Sequence, residues 1–138
     1  MVIQERIRRS TSGHRDMHDL TLDVQGIVQK SALQAGLVNI HVIGSTGAIG
    51  TIEYEPGLAG DLPEIYDQLM PPGRHYGHEK AWHDGNAHSH LQATTLGSSI
   101  SLPFSGGQLI LGTWQQIFLL ECDVRPRNRE VVVTVMGE

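Results

Sequence analysis

The chain opens on a loose alternation, with Val2, Ile3 and Ile7 set among Arg6 and Arg9, which reads as a strand. Ser10 to Arg15 is polar and reads as a turn or loop. From Leu20 to Ala35 apolar residues return at helical spacing through Val24, Ile27 and Val28, predicting an amphipathic helix that Gly36 would end. Leu37–Ile43 is rich in β-branched residues and reads as a buried strand. The small-residue turn Gly44-Ser45-Thr46-Gly47 and a second strand, Ala48–Tyr54, follow it. Leu58, Leu62, Ile65, Tyr66 and Leu69 give Gly57–Leu69 a helical period, closed by Pro71-Pro72-Gly73. Pro63 then belongs in the first turn of that helix, or the helix starts near it.

After a loop over Gly73–Ala87, a short helix is expected from Ser89 to Leu96, stopping at Gly97. Ser99–Phe104 and Gln108–Gly112 flank the hairpin signal Ser105-Gly106-Gly107. Thr113–Val124 and Glu130–Met136 make two further strands across the turn Arg125-Pro126-Arg127-Asn128. The order β-α-β-β-α-(α)-β-β-β-β predicts an α+β fold, a largely antiparallel sheet with helices packed on it. The 138 residues fit a single domain spanning 1–138.

Composition narrows the partners. Fifteen acids against ten bases give a formal charge of −5, which repels a polyanion and argues against nucleic acid. Arg6, Arg8 and Arg9, and Arg125, Arg127 and Arg129, form two short basic clusters. No apolar stretch approaches the ~18 residues of a membrane span, and the first ten residues lack the apolar core of a secretion signal. Cys122 is the only cysteine and lies in an apolar run, so the thiol is expected to pack as a small buried hydrophobe. The expectation is a cytoplasmic protein.

The chemistry concentrates between positions 75 and 90, where His75, His78, His83, His88 and His90 supply five of the chain's eight histidines. Imidazoles converging from a bendable, glycine-containing segment suit a divalent metal. His88-x-His90 points both rings to one face of an extended chain and nearly opposite ways in a helix, so the pair chelates only if the helix starts at or after Ser89. Asp84 and Asn86 stand ready as an oxygen ligand or as groups that orient a ring. The alternative is a histidine-decorated surface loop paired with Glu79 and Asp84. Gly44-Ser45-Thr46-Gly47 offers hydroxyls and backbone N–H groups to a phosphate or carboxylate, or is a tight turn that needs small residues. Glu53 reads as a general base or as an edge-strand glutamate facing water. Trp114 reads as core, interface or ligand platform. Glu121 and Asp123, with Arg127 and Arg129 beyond the turn, read as a structural ion-pair network or a ligand-binding rim.

Several of these stretches recur together in a known pattern. It comprises Gly36-Leu37-Val38 leading into the strand, Ser45-Thr46, Glu53, His78, Asn86-Ala87-His88-Ser89-His90-Leu91, Leu96-Gly97, Gly112-Thr113-Trp114-Gln115, Glu121, and an arginine-bearing turn before a strand ending in Gly137-Glu138. Their order and spacing resemble the YjbQ-like family, also called the secondary thiamine-phosphate synthase family, across nearly the whole chain. The resemblance implies a homotrimer with a metal-holding, histidine-lined pocket near a subunit boundary. It also implies a weak transferase activity that joins a pyrimidine diphosphate to a thiazole phosphate. On that basis Glu53 and Glu121 are the expected catalytic carboxylates. His78, His88 and His90 are the expected ligands of a divalent metal, zinc or magnesium. Ser45, Thr46, Asn86, Thr113, Trp114 and Arg127 are expected to bind the phosphorylated small molecule. One departure stands out: where many members carry a histidine, this chain has Gly44, and His88 is expected to compensate, ahead of His41. His18 also matches a family position, before the first helix.

Overall fold

The computed structural model describes all residues from Met1 to Glu138. Its elements are β1 (Val2–Ser10), β2 (Met17–Asp19), α1 (Thr21–Lys30), β3 (Ala35–Val42), β4 (Gly47–Ile52), α2 (Pro56–Leu69), α3 (Gly77–Trp82), α4 (Ala87–Leu96), β5 (Ser99–Ser105), β6 (Gln108–Leu109), β7 (Gln116–Glu121) and β8 (Asn128–Gly137). They form a five-stranded sheet in the order β1-β8-β3-β5-β6 and a three-stranded sheet in the order β2-β7-β4. Every pairing is antiparallel, so the fold is the expected α+β type.

Two apolar cores explain the layering. In the larger one, Val24, Ile27 and Val28 of α1 pack with Val38, Ile40, Val131, Val133 and Val135 of the five-stranded sheet and with Ile117 and Leu119 of β7. The smaller one lies on the other face of β7, where Phe118 and Leu120 meet Ala48, Cys122 and Ala93 of α4, with Leu62 of α2 against them. β7 is thus buried on both faces, which is why Ile117–Leu120 is continuously apolar rather than alternating.

Several boundaries differ from the sequence expectation. α1 stops at Lys30, short of Ala35, because Ala32 turns into the left-handed region at φ 61°. Gly36 is therefore not a helix terminator. It lies inside β3, where a Cβ would stand 1.9 Å from the Met136 carbonyl oxygen, so it is the close approach of β8 that requires glycine. α2 begins at Pro56, not near Pro63. The Glu55 carboxylate caps it by accepting from Gly57 N (2.8 Å) and from Leu58 N, and Pro56 occupies the first turn. Pro63 is carried in the buried interior of that helix.

The loop expected over Gly73–Ala87 contains α3, and α4 begins at Ala87 rather than Ser89. The strands expected over Gln108–Gly112 and Thr113–Val124 shorten to Gln108–Leu109 and Gln116–Glu121, and β2 forms where none was foreseen. No helix is long and apolar enough to cross a membrane.

Candidate functional site: an arginine-backed cleft beside two histidine pairs

Antiparallel pairing of Gly47 with Glu121 brings the β3–β4 turn alongside the end of β7, and the start of β8 lies next to both. A buried polar network ties these segments together. Arg129 donates from Nε to Glu121 Oε1 (2.9 Å) and from Nη2 to Thr46 Oγ1 (2.8 Å), with a second bond from Nη2 to Glu121 Oε2. Thr11 Oγ1 donates to Glu121 Oε1 (2.6 Å), and Asp123 N donates to Glu121 Oε2 (3.0 Å). Thr46 Oγ1 donates onward to Asp123 Oδ2 (2.9 Å), which also accepts from Arg127 Nε (3.1 Å) and Nη2 (2.7 Å). Burial alone would raise the Asp123 pKa, but the Thr46 hydroxyl, the Val124 amide and Arg127 hold it below the ordinary carboxylate value.

The Glu121 and Arg129 side chains are 0% and 7% exposed, so each charge depends on the other. Glu121 does not line the cleft that the network encloses. It fixes Arg129, which does.

That cleft, of ≈ 320 Å³, is lined by Gly44–Thr46, Asn86, His90, Asp123 and Arg127–Arg129, without a single apolar side chain. Gly44 sits at φ 123°, and a Cβ there would lie 2.7 Å from Arg129 Nη1. Position 44 therefore holds glycine for two reasons: its backbone is left-handed, and the guanidinium occupies the space a side chain would need. The backbone N–H groups of Gly44, Ser45 and Thr46 have no partner within the protein, and neither does Arg129 Nη1. Successive free amides around a buried guanidinium make a concavity suited to an anion.

The five clustered histidines separate. Because α4 already starts at Ala87, His88 and His90 leave it on nearly opposite sides. His90 lines the cleft and faces His78, with ring centroids 4.9 Å apart. His78 Nε2 lies 3.1 Å from Asp84 Oδ1 and 3.0 Å from the side-chain amide of Asn86. Glu79 holds the corner between α3 and α4, accepting from Gly85 N (2.7 Å) and Ala87 N (2.9 Å).

His88 turns the other way, is 2% exposed, and stands edge-on to His14 with centroids 5.3 Å apart. Burial, then the neighbouring His14, lowers its pKa. His14 in turn contacts Asp67 (2.8 Å), which also accepts from Arg15 Nε (2.7 Å) and Gln92 Nε2 (2.8 Å). His88 accordingly does not compensate for Gly44, and the set His78, His88 and His90 is not assembled around one point; no three His, Cys, Asp or Glu side chains converge as a metal site would require. His75 and His83 stay outside both pairs, His83 as the left-handed residue ending α3. His41, in register with Ser99 and Val132, lies on the five-stranded sheet away from its apolar core, and His18 contacts Asp16 (2.9 Å).

Glu53, Thr113 and Trp114 lie at the other end of the three-stranded sheet. Glu53 follows the Ile52–Gln116 pair that closes the ladder, and Trp114 is 73% exposed. About five residue steps, roughly 17 Å, separate that end from Gly47. Within one chain they therefore do not join Ser45, Thr46, Asn86 and Arg127, which do come together. Residues that the pattern reading passed over include His14 and Asp67, 53 positions apart and without a shared local motif. Cys122 is buried as expected, with its pKa pushed up to about 12 by burial and then by Glu121.

Known proteins match along the full length. The family model described as UPF0047 protein YjbQ-like matches residues 5–138. A UPF0047 protein of Methanothermobacter thermautotrophicus is 36% identical over 137 residues, covering 99% of this chain and 94% of that relative. One of Bacillus subtilis is 31% identical over 129 residues, covering 92% and 94%. A solved structure from Sulfolobus solfataricus P2 superposes with a TM-score of 0.94 at 37% identity, covering 100% of this chain and 99% of that one. One from Aeropyrum pernix K1 gives 0.86 at 34% identity, covering 97% and 99%. Sequence and structural neighbours agree, and the chain belongs to the YjbQ-like UPF0047 family.

Proposed function

We propose that this protein acts on a phosphorylated small molecule whose phosphate is held in the cleft between the Gly44–Gly47 turn and Arg127–Arg129. The observation that carries this reading is the buried Arg129 guanidinium, with Nη1 unpartnered beside the three unpartnered amides of Gly44, Ser45 and Thr46. Preorganised donors in a partly dry site stabilise an anion, or charge that develops during reaction, without having to reorganise. The finer form of the reading is the transfer that the resemblance implies. There the thiazole nitrogen forms a bond to the pyrimidine methylene carbon as the carbon–oxygen bond to diphosphate breaks. Arg127, Arg129 and the turn amides would take up the charge of the departing diphosphate, and Ser45 and Thr46 would border it.

Isothermal titration of inorganic phosphate and diphosphate into wild type and Arg127→Ala tests the anion site; equal, unmeasurable binding in both would overturn it. An assay of thiamine phosphate formation then tests the transfer. A second reading, a binder of the same fold without catalysis, is favoured by Gly44, since the space a side chain would need at the position where the resemblance implies a histidine is filled here by Arg129. Binding of diphosphate with no thiamine phosphate formed would support it.

The divalent metal implied by the resemblance, zinc or magnesium, does not fit the residues present: His78 and His90 stand as a pair, His88 turns away toward His14, and no group of three His, Cys, Asp or Glu side chains converges there. No step above is routed through a metal. Elemental analysis checks this: no stoichiometric metal in purified wild type is the expected result, and metal present in wild type and lost from His78→Ala and His90→Ala would overturn it.

A homotrimer in the cytoplasm completes the proposal. A neighbouring copy would offer a route for Glu53, Thr113 and Trp114 to reach a cleft they do not reach in their own chain. Mixing Glu53→Ala chains with Arg127→Ala chains and recovering activity would support a shared site.

A further inference from the structure

Residues 71–85 join α2 to α4 and are held to the rest of the chain at one corner. None of them is buried. No backbone–backbone hydrogen bond ties the segment to other residues. Its side-chain links are confined to the start of α4, where Glu79 Oε1 accepts from Ala87 N (2.9 Å) and His78 Nε2 lies 3.0 Å from the side-chain amide of Asn86. Within itself the segment is braced. The Tyr76 hydroxyl donates to the Pro71 carbonyl (2.9 Å), the Arg74 guanidinium lies 5.0 Å from the Tyr76 ring centroid, and Glu79 Oε2 accepts from Gly85 N (2.7 Å). A piece with few buried contacts and its own internal ties moves as a unit.

The surroundings set the direction of that movement. A hollow of ≈ 220 Å³ separates Tyr76, Gly77 and His78 of the segment from Ala87, His90 and Leu91 of α4. Near the two ends of the segment Gly73 and Gly85 stand at φ 77° and 70°, and nothing lies within 4 Å of a Cβ built on either, so rotation there meets no wall. His78 marks the face of α3 that is turned to the anion cleft, because it meets Asn86 and His90, both part of the cleft lining. Trp82 follows His78 by one turn on that same face and is 71% exposed.

We infer that residues 71–85 form a lid on the anion cleft, pivoting on Glu79, which takes up the hollow as it closes and lays Trp82 across the mouth of the cleft. The inference rests on the anion reading and adds to it a moving part and a covering residue. Closure displaces water from around Arg129 and the turn amides, and their hold on the anion strengthens as the local dielectric falls. The anion favours the closed arrangement because only there does it gain this cover, and a ligand shifts a two-state equilibrium by such a difference alone.

The chain has two tryptophans, Trp82 and Trp114, and tryptic sites after Arg74 and Lys80 lie on the segment itself, so closure is measurable. The probe is inorganic diphosphate, with its binding measured separately by calorimetry. Saturating diphosphate is expected to move tryptophan emission to shorter wavelength. It is also expected to slow cleavage after Arg74 and Lys80 roughly fivefold while leaving cleavage after Lys30 on α1 unchanged. Trp82→Phe, which keeps Trp114, is expected to lose the emission shift. Gly77→Leu places a side chain in the hollow and is expected to bind diphosphate with neither shift nor protection. Glu79→Ala removes the pivot and gives a check that does not depend on Gly77→Leu folding: cleavage after Arg74 and Lys80 without ligand is expected to rise, and an unchanged rate overturns the inference. Diphosphate that binds wild type without shift or protection overturns the lid while the anion site stands. So does a shift that persists in Trp82→Phe, equal slowing at Lys30, or full protection in Gly77→Leu. Absence of diphosphate binding to wild type overturns both the lid and the anion reading.

Discussion

His88 and His90, two residues apart in the first turn of α4, belong to different neighbourhoods: His90 meets His78 across 4.9 Å at the cleft, while His88 meets His14 across 5.3 Å beneath α2. Their substitutions are therefore expected to separate stability from binding. His88→Ala removes a buried ring and leaves a void, at a cost of about 1–3 kcal/mol of folding free energy, with phosphate affinity unchanged. His90→Ala weakens binding of a phosphate ester and shifts the urea midpoint little. Denaturant unfolding and calorimetry on the two variants check this, and the reverse pattern would refute the division.

Placing at position 44 the histidine that the family resemblance leads one to expect should harm this chain. Gly44→His forces a side chain into a left-handed backbone at φ 123° and toward Arg129 Nη1. The conformational cost alone is about 1–3 kcal/mol, and displacement of the guanidinium also disturbs its bonds to Thr46 and Glu121. The expected result is a lower melting temperature together with weaker phosphate binding. A variant as stable as wild type that binds phosphate better would show that the turn rearranges freely.

These two cases show how far pattern reached. The α+β class, the antiparallel strands and the polar turn Gly44–Gly47 were legible because hydrophobic period and turn chemistry are local. Helix starts were less so. A proline at position 63 and a serine at position 89 both looked like boundaries, but the Glu55 cap and the Glu79 clamp on Ala87 N set the actual ones, and caps from side chains several residues away leave no periodic signal. The two-residue error at the start of α4 mattered most, since it decided whether His88 and His90 point together or apart. Asp67 with His14, and Arg129 filling the space beside Gly44, are contacts between segments far apart in sequence, which spacing alone does not encode.

Asp67 predicts an acid limb in stability. Burial would raise its pKa, but Gln92, His14 and Arg15 outweigh burial and hold it below the ordinary carboxylate value. The folded state thus releases this proton more readily than the unfolded one. The stabilisation is fully present above about pH 4 and is lost as pH falls through the depressed folded value. Asp67→Asn should lower stability at neutral pH and flatten the fall between about pH 4 and pH 2. Urea midpoints measured across that range check it; equal slopes for the two proteins would mean that Asp67 is not the group responsible.

The buried pair Glu121–Arg129 distinguishes a positioning role from a catalytic one. Glu121 is 0% exposed, and its two oxygens are engaged by Arg129, Thr11 and Asp123 N. Removing it alone leaves a guanidinium buried without its counter-charge, so Glu121→Ala is expected to cost about 3–5 kcal/mol and to yield little folded protein. Removing both charges relieves that penalty. Glu121→Leu with Arg129→Met is expected to fold with stability near wild type and to lose phosphate binding, because Arg129 Nη1 is gone from the cleft. A Glu121→Gln chain also loses the counter-charge and is expected to be less stable than wild type, but it keeps the side chain's shape and one acceptor for Arg129, so its folded fraction can be assayed. If Glu121 only positions Arg129, this chain should retain phosphate binding within a few-fold and show a pH profile of turnover parallel to that of wild type. Loss of turnover in Glu121→Gln with phosphate binding intact would instead assign the carboxylate a direct part in the reaction.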